Sequence, residues 1–281
     1  MPSATSPVLR FERLLLTGAA GALGRELRSR LAPHCERLRL SDVVDLGAAQ
    51  ANEEVMQAAL QDFAAVDALL DGVSAVVHLG GVSVEGPFEP ILQANIVGLY
   101  NLYEAARRHQ VPRIVFASSN HVTGFYRQDE AIDATMPVRP DGNYGVSKAF
   151  GENLSRFYFD RYGIETVCLR IGSCFPEPKD RRMLATWLSY DDLERLVVAS
   201  LTAPVVGHSI VYGLSDNRAS WWDNTPARHL GYAAQDSSEP YRAAVTARQP
   251  TLDMNHRSTL YQGGTFVTQG PYSTDPTGDN P

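Results

Sequence analysis

Thr17-Gly18-Ala19-Ala20-Gly21-Ala22-Leu23-Gly24 is the stretch that decides the fold. The apolar run Leu14–Thr17 leads into it, and Arg25-Glu26-Leu27 continues into a helix-like pattern, so a G-x-x-G-x-x-G spacing stands between a strand and a helix. Gly18 permits the tight turn, Gly21 lets backbone approach a pyrophosphate with no Cβ in the way, and Gly24 allows close helix–strand packing. The helix N-terminus then offers N–H groups and the positive end of its dipole to phosphate. Three glycines could make a plain turn, but the order strand, glycines, helix favours a dinucleotide loop. Asp42 closes the second apolar run, Leu38–Ser41, 18 residues after Gly24. A carboxylate there accepts from both ribose hydroxyls and repels a 2′-phosphate, which points to NAD rather than NADP. Arg25 could pair with a 2′-phosphate, but it lies one step inside the helix. Asp62 is a candidate for an adenine contact, or else a solvated acid near a helix start.

Outward from that loop, strand-like and helix-like patterns alternate. Short apolar runs fall at Leu14–Thr17, Leu38–Ser41, Val55–Leu60 (weak), Ala75–Leu79, Ile114–Ser118, Thr166–Arg170 and Ser209–Tyr212. Several are nearly continuous, as in strands buried on both faces. The spacing predicts a helix over Ile91–His109, where Leu92, Ile96, Leu99, Tyr103 and Ala106 share a face. A second is expected over Asn143–Tyr162, ended by Gly163 in a left-handed cap. Alternation of this kind implies right-handed crossovers. The expected fold is α/β, a Rossmann-type doubly wound parallel sheet of about seven strands with a small C-terminal substrate-binding cap. The expected divisions are a flexible arm over 1–12, a dinucleotide-binding domain over 13–175 and a cap over 176–281. Within the cap, 205–215 returns to the sheet as its last strand and 272–281 is a flexible tail. Trp221 and Trp222 are expected in the cap's small core.

Composition sets outer bounds. The chain has 281 residues, enough for one large domain or two modest ones at about 150 residues each. Its net charge of −7, without a basic run, makes nucleic acid an unexpected partner. Three cysteines without framework spacing fit a reducing compartment. Met1–Arg13 has no apolar core of a secretory signal. Leu196–Ser215 is uncharged but interrupted by Pro204, Gly207 and His208, so it reads as helix end, turn and strand rather than a membrane span. The expectation is a soluble cytoplasmic protein with no metal.

A second motif, Tyr144-Gly145-Val146-Ser147-Lys148, puts Tyr and Lys on one helix face. A phenol is a poor base at neutral pH, but a neighbouring ammonium favours the phenolate. By itself such a pair is an ordinary surface feature. The fifth strand, however, runs into Phe116-Ala117-Ser118-Ser119-Asn120-His121, and a hydroxyl at the C-terminal end of a central strand points into the ligand crevice.

With TGAAGALG, VVHLGG, FASSNH and YGVSK in that order, roughly Arg13–Arg170 resembles the extended short-chain dehydrogenase/reductase family. The resemblance implies that Ser119 is the catalytic hydroxyl, Tyr144 the general base, and Lys148 the residue that lowers its pKa and holds the nicotinamide ribose. It implies a cofactor-facing set of Gly18, Gly21, Ala22, Leu23, Gly24, Asp42, Asp62, Leu79, Gly80, Gly81, Asn95, Ser118, Tyr144, Lys148 and Ile171. Asn95 could steady the Lys148 region through water from the helix face opposite the apolar stripe, or only pack helix on sheet. Ser118 is expected to pack at the strand end.

Most extended members act on nucleotide sugars as epimerases or dehydratases. Here about 110 residues follow Arg170, little room for a nucleoside diphosphate, and the Tyr-Gly-Pro stretch of those enzymes is missing. The longer segments, among them HLGGVSVEGPFEPILQANIVGLYNLYEAAR, LRIGSCFPEP, RRMLATWLSYDD and WWDN, are similar to uronate dehydrogenases. That resemblance implies oxidation of a hexuronic acid, D-glucuronate or D-galacturonate, at C1 to an aldaric acid lactone, with NAD as hydride acceptor and no metal. Arg182 matches the carboxylate-binding Arg, with Arg181 beside it an alternative; a guanidinium fork suits a carboxylate. Ser83, Ser119, Asn120, His121, Tyr144 and Ser173 match positions that contact the sugar. His121 could instead only close the strand-end turn, and Ser173 only cap backbone. Beyond Asp253 nothing is carried over. Related enzymes pair through the helix bearing Tyr144, so a homo-oligomer is expected by analogy. The rival readings are a nucleotide-sugar epimerase or dehydratase and a non-catalytic dinucleotide sensor.

Overall fold

Seven strands form one parallel sheet: β1 (Phe11–Thr17), β2 (Cys35–Ser41), β3 (Glu53–Val55), β4 (Ala75–His78), β5 (Arg113–Ser119), β6 (Glu165–Ile171) and β7 (His208–Gly213). Their order is β7-β6-β5-β4-β1-β2-β3. This computed structural model describes residues 11–270 and 272. Residues 1–10 of the expected arm, and all of the expected tail except Tyr272, lie outside the described residues. Phe11 and Glu12, assigned to the arm by sequence, instead begin β1 and pair with β2 from Cys35 onward.

Both faces of the sheet are covered, which is why its strands read as apolar runs rather than alternations. Leu14 and Leu16 face one side with Leu38, Leu40, Val77, Val167 and Leu169. Helices α1 (Ala22–Leu31) and α5 (Tyr190–Thr202) cover them through Leu27, Leu31, Leu193 and Leu196. Leu15, Val76, Ile114 and Phe116 face the other side. There they meet α2 (Phe63–Leu69), α3 (Gly98–Arg108) and Tyr158 of α4 (Asn143–Tyr162). Gly163 ends α4 with φ 74°, the left-handed cap its position predicts. β7 falls within 205–215 and lies at the sheet's edge, Val211 pairing with Leu169 of β6.

Two elements depart from the sequence reading. The third strand is Glu53–Val55, not Val55–Leu60, because β2 supplies ladder partners only at Leu38–Leu40. Past the ladder, Met56 N still donates to the Leu40 carbonyl and Ala58 N to the Asp42 carbonyl, at 3.0 and 3.1 Å. The expected helix Ile91–His109 is three pieces: a turn at Phe88–Ile91, a π-helical stretch at Leu92–Val97, and α3. The wider π turns rotate the face, so Asn95 is buried rather than opposite the apolar stripe.

A third, smaller apolar cluster joins Trp222 to residues of the 13–175 range and of β7. Trp222 stacks on Tyr212 at 4.8 Å with Tyr126, Ile132 and Leu214 around it, and Trp221 packs against its edge. Among the described residues no helix is long and apolar enough to cross a membrane.

Candidate active site

The C-terminal ends of β1, β2, β4, β5 and β6 open into one cavity of about 960 Å³. At its dinucleotide end, Gly18 turns with φ +71°, and a Cβ there would sit 2.7 Å from the Gly80 nitrogen and the Leu79 carbonyl carbon. A Cβ on Gly24 would run into the Gly18 carbonyl. No side chain caps α1, so its N-terminus faces the crevice uncovered beside Ala22, Leu23 and Gly24. Asp42 ends β2 with Oδ2 accepting from Ala20 N at 2.9 Å and Oδ1 from Val44 N at 3.3 Å. The strand end and the glycine loop are thereby joined.

Leu79, Gly80, Gly81, Ser83, Ser118, Ile171 and Ser173 also line this cavity. Two sequence candidates do not. Asp62 is exposed and caps α2, accepting from Ala65 N at 3.2 Å, while Gln61 before it takes the wall. Asn95 acts from behind the wall. Its Oδ1 accepts from Val82 N at 2.7 Å, and its Nδ2 donates to the Val82 carbonyl and to Ser147 Oγ, both at 2.9 Å. No water is needed for it to reach the residue next to Lys148.

In the middle of the cavity stand Ser119, Tyr144 and Lys148, all buried. Ser119 ends β5, and its Oγ accepts from His121 N at 3.2 Å. Lys148 donates to the Ala117 carbonyl at 2.8 Å and lies over the Phe116 and Tyr144 rings at 5.1 and 5.5 Å. Burial pushes the Tyr144 phenol up to about 12, against a hydrogen bond with Ser119 that pulls it down. Burial likewise lowers Lys148 to about 8. At the phenol, desolvation thus outweighs the Ser119 hydrogen bond, and the charge of Asp141 adds to the rise. Ser118 turns away from Ser119 and donates to Glu152 at 2.6 Å.

At the far end sits Arg182. Its Nε donates to the Gln262 carbonyl at 2.6 Å and one terminal nitrogen to Ser173 Oγ at 3.3 Å. With the Asn120 amide turned so that its nitrogen donates to the Ile171 carbonyl, its oxygen accepts from the other terminal nitrogen at 2.8 Å. Burial lowers the Arg182 pKa. No acid among the described residues lies within ion-pair distance of it. Arg181 points elsewhere, to Gln249 and Pro250. His121 Nδ1 lies 2.7 Å from Asp141 Oδ2, with Phe266 stacked on the ring at 3.8 Å.

Sequence reasoning missed Glu85, Asp141, Gln262 and Phe266. Glu85 accepts from Asn143 N at 3.0 Å and Tyr144 N at 2.9 Å, capping α4 where Gly142 supplies no side chain. Gln262 and Phe266 belong to the C-terminal stretch to which no role was carried over. No local pattern marks any of the four, since each acts on a partner distant in sequence.

Residues 14–202 match the model of the NAD dependent epimerase/dehydratase family. A uronate dehydrogenase of Pseudomonas putida is 59% identical over 94% of this chain and 98% of its own length. The chain belongs to that family, among its uronate dehydrogenases. Solved members agree in fold. A uronate dehydrogenase variant of Agrobacterium tumefaciens complexed with NAD superposes with a TM-score of 0.91 at 54% identity, covering 94% of this chain and 99% of that one. A glucuronic acid dehydrogenase of Chromohalobacter salexigens gives 0.91 at 51% identity, covering 92% and 98%. In this member of the uronate dehydrogenases the glycine loop follows β1, Ser119 ends β5, and Tyr144 and Lys148 stand on α4 beside them.

Proposed function

We propose that this NAD-dependent oxidoreductase oxidises a hexuronic acid, D-glucuronate or D-galacturonate, at C1 to the aldaric acid lactone. The observation that carries the reading is Arg182: a half-buried guanidinium with no acid within ion-pair distance among the described residues, in the same cavity as Ser119 and Tyr144. A charge drawn partly out of water favours a counter-charge, and a carboxylate matches its fork. Asn120 and Ser173, which hold two of its nitrogens, present the guanidinium to that end of the cavity.

The residues fit NAD. Gly18 and Gly24 leave no room for a Cβ where the loop turns, and Asp42 stands where an adenosine ribose would meet a carboxylate. When bound, NAD supplies the hydride acceptor and a positive ring that favours the phenolate. The protein holds the sugar by Arg182 and its neighbours, with Ser119 placing the anomeric oxygen beside the Tyr144 phenol. Tyr144 takes the hydroxyl proton as C1 gives up its hydrogen with the electron pair, leaving the C1–O bond as the lactone carbonyl. Lys148 steadies the phenolate and the ribose hydroxyls. Charge stabilisation and positioning are the protein's share. A soluble cytoplasmic enzyme and a homo-oligomer belong to the same reading. Exposed Val146, Phe157 and Tyr162 on α4, near Tyr100 of α3, favour pairing through that surface.

Mixing the protein with NAD and either uronate should raise NADH absorbance, and Arg182→Ala should lower kcat/KM for the uronate by about 100-fold or more, while NAD affinity stays within twofold. Equal losses toward both ligands would remove the carboxylate assignment. Turnover of a UDP- or dTDP-sugar with NAD retained, and none of a uronate, would replace the whole reading.

A further inference from the structure

Among the residues of the cavity's far end, Asp141 has no role in the chemistry above. Its side chain is fully buried. Oδ2 lies 2.7 Å from His121 Nδ1, and Oδ1 has no hydrogen-bond partner among the described residues. Gly124 and Gly263 close over the carboxylate, since a Cβ on either would overlap it. Gly263 N donates to the Gly124 carbonyl at 2.9 Å, and Asp141 N to the His121 carbonyl at 3.3 Å. The enclosure is therefore made from three segments remote in sequence.

The imidazole is fixed on its flat face as well. Phe266 stacks on it at 3.8 Å and 12°, and Tyr144 meets it edge-on at 5.9 Å between ring centres. Its Nε2 makes no hydrogen bond among the described residues, and the ring lines the cavity. An ionised carboxylate can only accept, so a 2.7 Å contact puts the ring proton on Nδ1 and a lone pair on Nε2. The other charges facing the ring, Arg182 and Glu85, act on its charge state. Burial holds His121 below its ordinary pKa against the pull of Asp141, so the tautomer of the neutral ring is what the pair determines.

We propose that Asp141 is a positioning residue that locks His121 as the Nδ1–H tautomer, so that Nε2 accepts a hydrogen bond from a hydroxyl of the substrate. The assignment rests on the reading that the cavity takes a hydroxylated sugar acid. It makes the site demand a donor at that point, which an O-methylated sugar cannot supply.

Ring 15N spectra of the histidine-labelled protein, with the His121 signals identified by their loss in His121→Gln, should show a protonated Nδ1 and a bare Nε2. A protonated Nε2 would overturn the proposal. In the kinetic arm, Asp141→Asn keeps the shape but can donate to Nδ1, and Asp141→Ala removes the contact. Both should lower kcat/KM for the uronate about tenfold or more, the worth of one substrate hydrogen bond, mainly through KM. The KM for NAD should stay within twofold. Wild-type kcat/KM in both variants, or an equal loss toward NAD together with a lowered Tm, would mean that the carboxylate has only a structural role and would overturn the assignment. A wild-type protein inactive on both uronates would sink the substrate reading instead, and the ring spectrum would still decide the tautomer.

Discussion

Lys148 shows how a single residue carries opposing demands. Its ammonium is buried beside two rings with one carbonyl as hydrogen-bond partner, and burial lowers its pKa to about 8. In the unfolded chain the same amine titrates near 10.5. Between those values the unfolded state binds more protons, so this group makes stability rise with pH from about 8 to 10 and costs stability below that window. Tyr144 has the opposite sign at higher pH: its phenol, pushed up to about 12, makes stability fall as pH climbs from 10. Lys148→Met should therefore remove the rise in Tm between pH 8 and 10 while lowering turnover about 100-fold or more. An unchanged slope of Tm with pH would show that the ammonium is not the group titrating there. The Tyr and Lys were legible as a pair in sequence because i and i+4 share a helix face. Their protonation was not, because it depends on how much water the folded cavity excludes.

At the scale of elements, the notable object is the loop after β4. It is fastened to α4 at two places: Asn95 bridges Val82 to Ser147, and Glu85 caps the helix at Asn143 and Tyr144. The Ser83 segment and the catalytic helix are thus held as one unit. A carboxylate at a helix N-terminus also answers the dipole. Glu85→Ala should cost about 1 kcal/mol in urea unfolding. It should lower kcat several-fold with the KM for NAD unchanged, because Tyr144 loses the anchor of its own N–H. Wild-type stability and kcat together would deny the clamp. The Tyr144 helix and its left-handed end were readable from spacing and from Gly163. The π-helical stretch was not, since i to i+5 bonding leaves no distinctive residue pattern, and the Asn95 side chain went to the wrong face as a result. Asp62 illustrates the converse: one acid suits both an adenine contact and a helix cap, and the structure shows the cap.

Across the whole molecule, the two central strands next to the site are joined through a buried ion pair. Arg170 of β6 makes two bonds to Glu152 of α4, at 2.9 and 2.8 Å, and a third to Tyr212 of β7 at 3.1 Å. Ser118 of β5 donates to the same carboxylate. Removing one partner would leave the other charged and dry, so Glu152→Ala should cost about 3–5 kcal/mol in denaturant unfolding. A loss under about 1 kcal/mol would show that the interior relaxes enough to solvate Arg170. The C-terminal segment works at the same scale. Gln262 accepts from Trp222 Nε1, donates to the Arg127 and Glu130 carbonyls, and offers its own carbonyl to Arg182. The stretch least readable as family therefore closes the cavity end where Arg182, Asn120 and Ser173 meet.

The sequence by itself determined the alternation that makes the sheet, the glycine loop, the acid at the end of β2 and the Tyr144/Lys148 pair on one helix face, while Ser119 was singled out by resemblance to the family. Those follow from local rules: apolar runs for strands buried on both faces, glycine where backbone must turn or approach, fixed spacing along one helix. The family followed too, from segments outside the generic loop. Only the tertiary structure decided that Arg182 rather than Arg181 faces the cavity, that Asp141 stands behind His121, and that Phe266 and Gln262 arrive from the far end of the chain. Adjacent arginines are equivalent in one dimension. They become different only when one lines the cavity with Asn120 and Ser173 and the other turns to the Gln249 and Pro250 carbonyls.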